Sequence, residues 1–157
     1  MRKLFAFLIY QSDAFGPQDV EPLKAILGAR GRTYFEGFEH GINALYRTSV
    51  EEMAGAEHAN LRPVLEDAID VRNKVFHGQL TARCLQREEL EELSGVIREW
   101  CFRLARGAEA AVGYDGFGRN SFRKGPLAIA DGFLTHVRTP EEYERFIRLH
   151  VERPRWR

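Results

Sequence analysis

The sequence predicts an all-α fold, an antiparallel helical bundle, on three observations. Over most of the 157 residues, apolar side chains recur three and four positions apart, the period of a helix with one buried face. Residues that start and stop helices stand at the edges of those runs. No stretch alternates apolar with polar residues as a half-buried strand does, and no internal repeat is visible. The length suits one domain with its own core, so the chain is read as a single domain over residues 1–157.

The opening MRKLFAFLIY joins two basic residues to a short apolar run, the outline of a secretion signal. The run is at the lower length limit and QSDAFG is a poor cleavage site, so a helix is expected instead. It should break near Gly16 and Pro17, resume in VEPLKAIL and end at Gly28. From Arg32 to about Tyr46, residues Phe35, Phe38, Ile42, Leu45 and Tyr46 fall at helical spacing, although Gly37 and Gly41 weaken a helix through their backbone entropy. Ser49 with Glu52 three positions on is a capping-box pattern and starts a short helix.

Asn60 and Pro63 announce the next helix, since asparagine caps open amides and proline is tolerated in a first turn. It should run to about His77, where Gly78 supplies a left-handed stop. Another begins near Gln86, with Leu90, Leu93, Ile97, Trp100, Cys101 and Leu104 in a stripe opposite Glu91, Glu92, Arg98 and Arg103. The acids Glu88, Glu89, Glu91 and Glu92 at its start suit the helix dipole and a solvated face. A glycine-rich aromatic and basic loop follows at about 113–125, and Thr139-Pro140-Glu141-Glu142 opens a C-terminal helix over about 140–150.

Composition excludes several classes. With 44% hydrophobic and 29% charged residues the chain is globular rather than disordered, and no apolar run is long enough to cross a bilayer. The formal net charge is zero, so no global field draws it to nucleic acid. Cys84 and Cys101 form no CxxC and have no histidine pair nearby, which points away from disulfides and zinc and towards a reducing, cytoplasmic compartment. Histidines 40, 58, 77, 136 and 150 are scattered without metal-like spacing, so no metal is expected. Gly116-Phe117-Gly118 lacks a third glycine, Ser121 standing there, and GxxxxGK[ST] does not occur.

One stretch, DVRNKVFHGQL, departs from this generic picture. Drawn as a wheel, the helix before Gly78 has an apolar arc of Leu65, Ile69 and Phe76, flanked by Val64, Ala68, Val71 and Val75, and Arg72 falls inside it. Asp70, Asn73, Lys74 and His77 lie on the other side, where Asn73 and His77 are one turn apart and can touch. Arg72 and His77 point roughly 140° from one another. A guanidinium on an apolar face needs partners, and the plain explanation is a buried ion pair with Glu36 or Glu39. The plain explanation for His77 is attraction to the helix C-terminus.

Taken together, RNKVFHG resembles the motif of the HEPN superfamily (higher eukaryotes and prokaryotes nucleotide-binding): arginine, a polar residue directly after it, then histidine after four to six intervening positions. The resemblance covers the helical core from about residue 32 to about 110. It implies an HEPN-like antiparallel helical bundle with extra terminal helices. It further implies a metal-independent endoribonuclease needing no cofactor, with Arg72, Asn73 and His77 catalytic and with two subunits of a homodimer each bringing one motif into a shared cleft. A toxin or antiviral defence effector, restrained by an antitoxin or other inhibitory protein partner, is the role it implies.

The residue types suit that chemistry. RNA is cut when its own 2′-hydroxyl attacks the adjacent phosphate, giving a 2′,3′-cyclic phosphate and a 5′-hydroxyl. Histidine can take the 2′ proton or protonate the 5′ oxygen, and arginine presents a planar fork to the phosphoryl oxygens. Asn73 would orient His77 or bond the phosphate. In the glycine-rich loop, Tyr114, Phe117 and Phe122 with Arg119, Arg123 and Lys124 have the make-up of an RNA-guiding surface, against the alternative that the aromatics anchor the loop. The tail around Arg153, Arg155, Trp156 and Arg157 is read as an RNA or partner contact or a mobile terminus. Two other readings stand beside the ribonuclease: a non-catalytic HEPN-fold module binding RNA, nucleotide or protein, and an unrelated helical interaction domain with Arg72 ion-paired.

Overall fold

The computed structural model describes residues 1–29, 33–79, 86–118, 120–125 and 129–152, without the side chain of Phe76. Arg32, Cys84, Arg119 and the tail residues Arg153, Arg155, Trp156 and Arg157 lie outside the described residues. Among the described residues the regular structure is helical: α1 (Arg2–Tyr10), α2 (Val20–Gly28), α3 (Phe35–Leu45), α4 (Val50–Ala54), α5 (His58–Phe76), α6 (Arg87–Val112) and α7 (Pro140–His150). No strand forms there; isolated bridges join Thr33 to Glu152 and Tyr46 to Phe133. The all-α class expected from the periodicity is the class observed.

The apolar opening is the middle of the core. Every residue from Leu4 to Tyr10 is buried, so beyond the exposed Arg2 and Lys3 α1 has no solvent face. Phe5 packs against Phe38, Tyr143 and Phe146 with ring centroids 5.7, 6.1 and 6.1 Å away, and Phe7 stacks on Tyr114 at 4.6 Å. Tyr143 belongs to this core, and burial pushes its hydroxyl's ionisation upward. The helix ends before Gln11, earlier than the expected break at Gly16 and Pro17, and Gly28 is the last residue of α2.

Packing decides the glycines of α3. A Cβ on Gly37 would lie 2.0 Å from the carbonyl oxygen of Val151, and one on Gly41 would lie 2.7 Å from Val151 Cγ2. Their entropic cost to the helix therefore permits the chain end of α7 to press against α3. The expected starts of α4 and α7 are present: Ser49 Oγ accepts from Glu52 N at 3.1 Å while Ser49 N donates to Glu52 Oε2 at 2.7 Å. At α7, Thr139 Oγ1 accepts from Glu142 N at 3.2 Å. The start of α5 differs from expectation. Glu57 is its N-cap, Asn60 lies inside the first turn with its amide donating to Glu57 Oε2 at 3.0 Å, and Pro63 sits within the helix.

α6 has 26 residues and is about 39 Å long. Its second half packs on α4, where Gly107 faces the Met53 backbone, and α5 begins just after α4, so α5 and α6 form an antiparallel pair. This pair outlasts the core. On α5 the buried positions are Leu65, Ala68 and Val71, and none of the described side chains beyond Val71 is buried. On α6 the first buried side chain is Trp100. The stripe foreseen from Leu90 to Leu104 is thus half a core stripe: Leu90 is 45% exposed, and Leu93 and Ile97 are half-buried.

Candidate functional site at the end of α5

The distal end of this hairpin carries Arg72, Asn73 and His77. α5 stops as the sequence predicts: Gly78 adopts φ +64°, the left-handed region open to glycine. Two backbone bonds close the end, Gly78 N to Val75 O at 3.1 Å and Gln79 N to Lys74 O at 2.9 Å. That pairing is a Schellman motif with His77 as the last half-helical residue, its own N–H donating to Asn73 O at 3.0 Å. The backbone under His77 is therefore fixed from both sides. An L-residue at position 78 would have to hold the left-handed conformation, so Gly78→Ala should destabilise the protein by about 1–2 kcal/mol. Thermal unfolding should show a fall of about 2–8 °C for a chain of this size. Gly78→Asn should lose less, and equal melting of all three proteins would contradict the motif's role.

Arg72 is exposed, which corrects the wheel reading that placed it in a buried arc. The arc is real further back, at Leu65 and Ala68, but α5 has left the core by Arg72 and nothing covers that face among the described residues. The expected ion pair with Glu39 is not what forms. Glu39 pairs with Arg62, which also binds Glu66 at 2.7 Å and lies over the Phe35 ring at 5.3 Å. His58, only 8% exposed, places Nε2 3.9 Å from Glu39 Oε1. This cluster joins α3 to α5 and has no share in the exposed end.

Asn73 serves the arginine. Arg72 Nη1 donates to Asn73 Oδ1 at 2.9 Å, so the asparagine orients the guanidinium, where the sequence suggested that it orient His77. His77 is exposed, and its side chain makes no hydrogen bond among the described residues. The arrangement presents a held guanidinium and an imidazole to solvent at one helix end, beside Val75, which is 59% exposed. Among the described residues no three His, Cys, Asp or Glu side chains gather as a metal site requires.

The loop after α6 divides the other candidates. Tyr114 is buried and its hydroxyl donates to Gly118 O at 2.9 Å; Phe122 is buried against Tyr10 at 5.9 Å. Lys124 Nζ donates to the carbonyls of Tyr10 and Ser12, both at 2.7 Å, and burial lowers its pKa. These three hold the loop to α1. Phe117, 62% exposed, and Arg123, also exposed, remain available. Asp115 shapes the tip by accepting from the N–H groups of Phe117 at 2.8 Å and Gly118 at 3.0 Å, bonds that hold its carboxyl below the ordinary aspartate pKa.

Sequence reasoning missed Phe102, which stands 57% exposed on α6 with the Arg106 guanidinium 5.7 Å from its ring centroid. The signal was there, since a phenylalanine falls on the charged side of that helix opposite Trp100 and Leu104. No helix among the described residues is long and apolar enough to cross a membrane. No family model, curated protein or solved structure matches the chain.

Proposed function

We propose that the protein is a metal-independent endoribonuclease of the HEPN type that works as a homodimer. The observation that carries this reading is the exposed end of α5, where Arg72, held by Asn73, and His77, held by the Schellman closure, share one helical turn and a half. An exposed guanidinium oriented by an asparagine, with an exposed imidazole at the same helix end, suits a surface that meets phosphate.

On this reading the RNA 2′-oxygen forms a bond to the adjacent phosphorus as the bond from phosphorus to the 5′ oxygen breaks. An imidazole accepts the 2′ proton, and an imidazolium returns a proton to the departing oxygen. Two copies of His77 facing one cleft divide those tasks, and the Arg72 forks neutralise charge on the phosphoryl oxygens. Dimerisation also supplies cover for Val75 and Leu90, 59% and 45% exposed on the projecting hairpin. A toxin or defence role, with an inhibitory partner capping the same end, follows from the resemblance.

The test is cleavage of single-stranded RNA in EDTA followed by end-group analysis. The expected products carry 2′,3′-cyclic phosphate and 5′-hydroxyl ends, and 5′-phosphate ends would sink the mechanism. The zero net charge favours one alternative, a non-catalytic HEPN-fold module for RNA, nucleotide or protein. It predicts binding without any cleavage.

A further inference from the structure

A second site lies on the outer side of α6. A groove of about 1090 Å³ runs along the helix from Gly95 to Glu109 and is closed on one side by the 113–125 loop. The fourteen helical rises from Gly95 to Glu109 give it a length of about 21 Å. Phe102 projects from the helix and Phe117 from the loop tip, 57% and 62% exposed, so two flat aromatic faces line it without cover. Both rings sit among guanidinium groups, Arg98 and Arg106 from α6 and Arg123 from the loop.

The charge in the groove is less balanced than its composition suggests. Three carboxylates line it, but Glu99 is paired to Arg103 at 2.6 Å and Asp115 is engaged by two backbone N–H groups. That leaves Glu109 and the ionised Asp115 against three guanidiniums, none of which forms an ion pair of 4 Å or less among the described residues. Arg106 rests over Phe102 at 5.7 Å and Arg123 over the Tyr114 ring at 5.8 Å, which holds both guanidiniums beside aromatic faces. Burial also keeps Cys101 in the groove wall as a protonated thiol, which adds no negative charge.

We infer that this groove binds a single-stranded nucleic acid, stacking bases on Phe102 and Phe117 while Arg98, Arg106 and Arg123 hold the phosphates. An occupant must offer flat π faces and negative charge in alternation over about 21 Å, and a single strand does so whatever its sequence. An acidic amphipathic helix is the competing occupant. It needs a row of aliphatic pockets for its buried face, whereas here the two phenylalanine rings stand out from a floor in which Ile97, Cys101 and Ala105 are only half-exposed. The site is independent of cleavage at Arg72 and His77, since no residue of α5 lines it.

The experiment is fluorescence anisotropy with a labelled 2′-O-methyl oligouridylate of about twelve nucleotides, which lacks the attacking hydroxyl and is not cut. Phe102→Ala with Phe117→Ala should raise Kd at least tenfold, given that each lost stack is worth about a fivefold to hundredfold change. Arg106→Ala should weaken binding and flatten the salt dependence by about 0.7 in log–log slope, one phosphate's share on a single strand. Both rings are solvent-exposed, so the variants should melt with the wild type, and circular dichroism checks this. Failure of the wild type to bind, or binding unchanged in the double variant, would overturn the inference. So would loss of self-association by sedimentation with RNA affinity intact, because a second copy would then be the occupant. Binding that persists in a protein unable to cut RNA leaves the groove standing and removes only the ribonuclease reading.

Discussion

Replacing His77 by alanine is expected to slow RNA cleavage by about two to four orders of magnitude, the usual worth of a positioned acid or base, without unfolding the protein. The fold should survive because the imidazole is exposed and the bonds that end α5 are backbone bonds through Asn73, Lys74, Val75, His77, Gly78 and Gln79. The limb of the pH–rate profile contributed by a titrating imidazole should vanish with the side chain. Arg72→Ala should be comparably damaging to activity and equally harmless to melting, since its side chain is exposed and bonds the half-buried Asn73 beside it. Arg72→Lys keeps charge but loses the fork, so its activity should fall between that of the wild type and that of Arg72→Ala. Asn73→Ala should cost less than either, by loosening the guanidinium alone. Cleavage by both the Arg72→Ala and His77→Ala proteins at the wild-type rate would mean that this end of α5 is not where RNA is cut.

How far the sequence could be read depended on whether a signal was local. Ser49 with Glu52, Thr139 before Pro140, and Gly78 after His77 each act within one turn, and each is found in its expected role. The failures required knowledge of the neighbours. A helical wheel identifies an apolar arc but not the height at which a helix leaves its core, so Arg72 was assigned to a covered face that ends near Val71. α1 carries an unbroken apolar run because every residue from Leu4 to Tyr10 is buried, and such a run shares the outline of a leader, so its central place in the core could not be read from it. In the 113–125 loop, composition supplied rings and cations without saying which point inward. Tyr114, Phe122 and Lys124 turned out to be anchors, and Phe117 and Arg123 stayed outside.

Two glycines of one helix should respond to alanine with opposite signs. In the interior of an exposed helix, glycine to alanine gains about 0.5–1 kcal/mol from backbone entropy. Gly95 meets that condition, as a Cβ there has nothing within 4 Å, so Gly95→Ala should raise the melting temperature by about 1–4 °C. Gly107 lies on the same helix, but a Cβ would stand 1.8 Å from Met53 O, 2.5 Å from its carbonyl carbon and 2.8 Å from its Cα. All three are backbone atoms at the end of α4 and cannot rotate aside, so α4 and α6 must separate and the contacts of Trp100, Leu104 and Ala108 loosen with them. Such overpacking costs about 3 kcal/mol and outweighs the entropic gain, which predicts a fall of about 6–12 °C for Gly107→Ala. Larger residues at 107 should lower the melting temperature further, and at 95 they should not. Because neither position touches Arg72 or His77, loss of RNA cleavage in Gly107→Ala should track the folded fraction and return on cooling. A melting temperature for Gly107→Ala at or above that of Gly95→Ala would show that α6 does not approach α4 this closely.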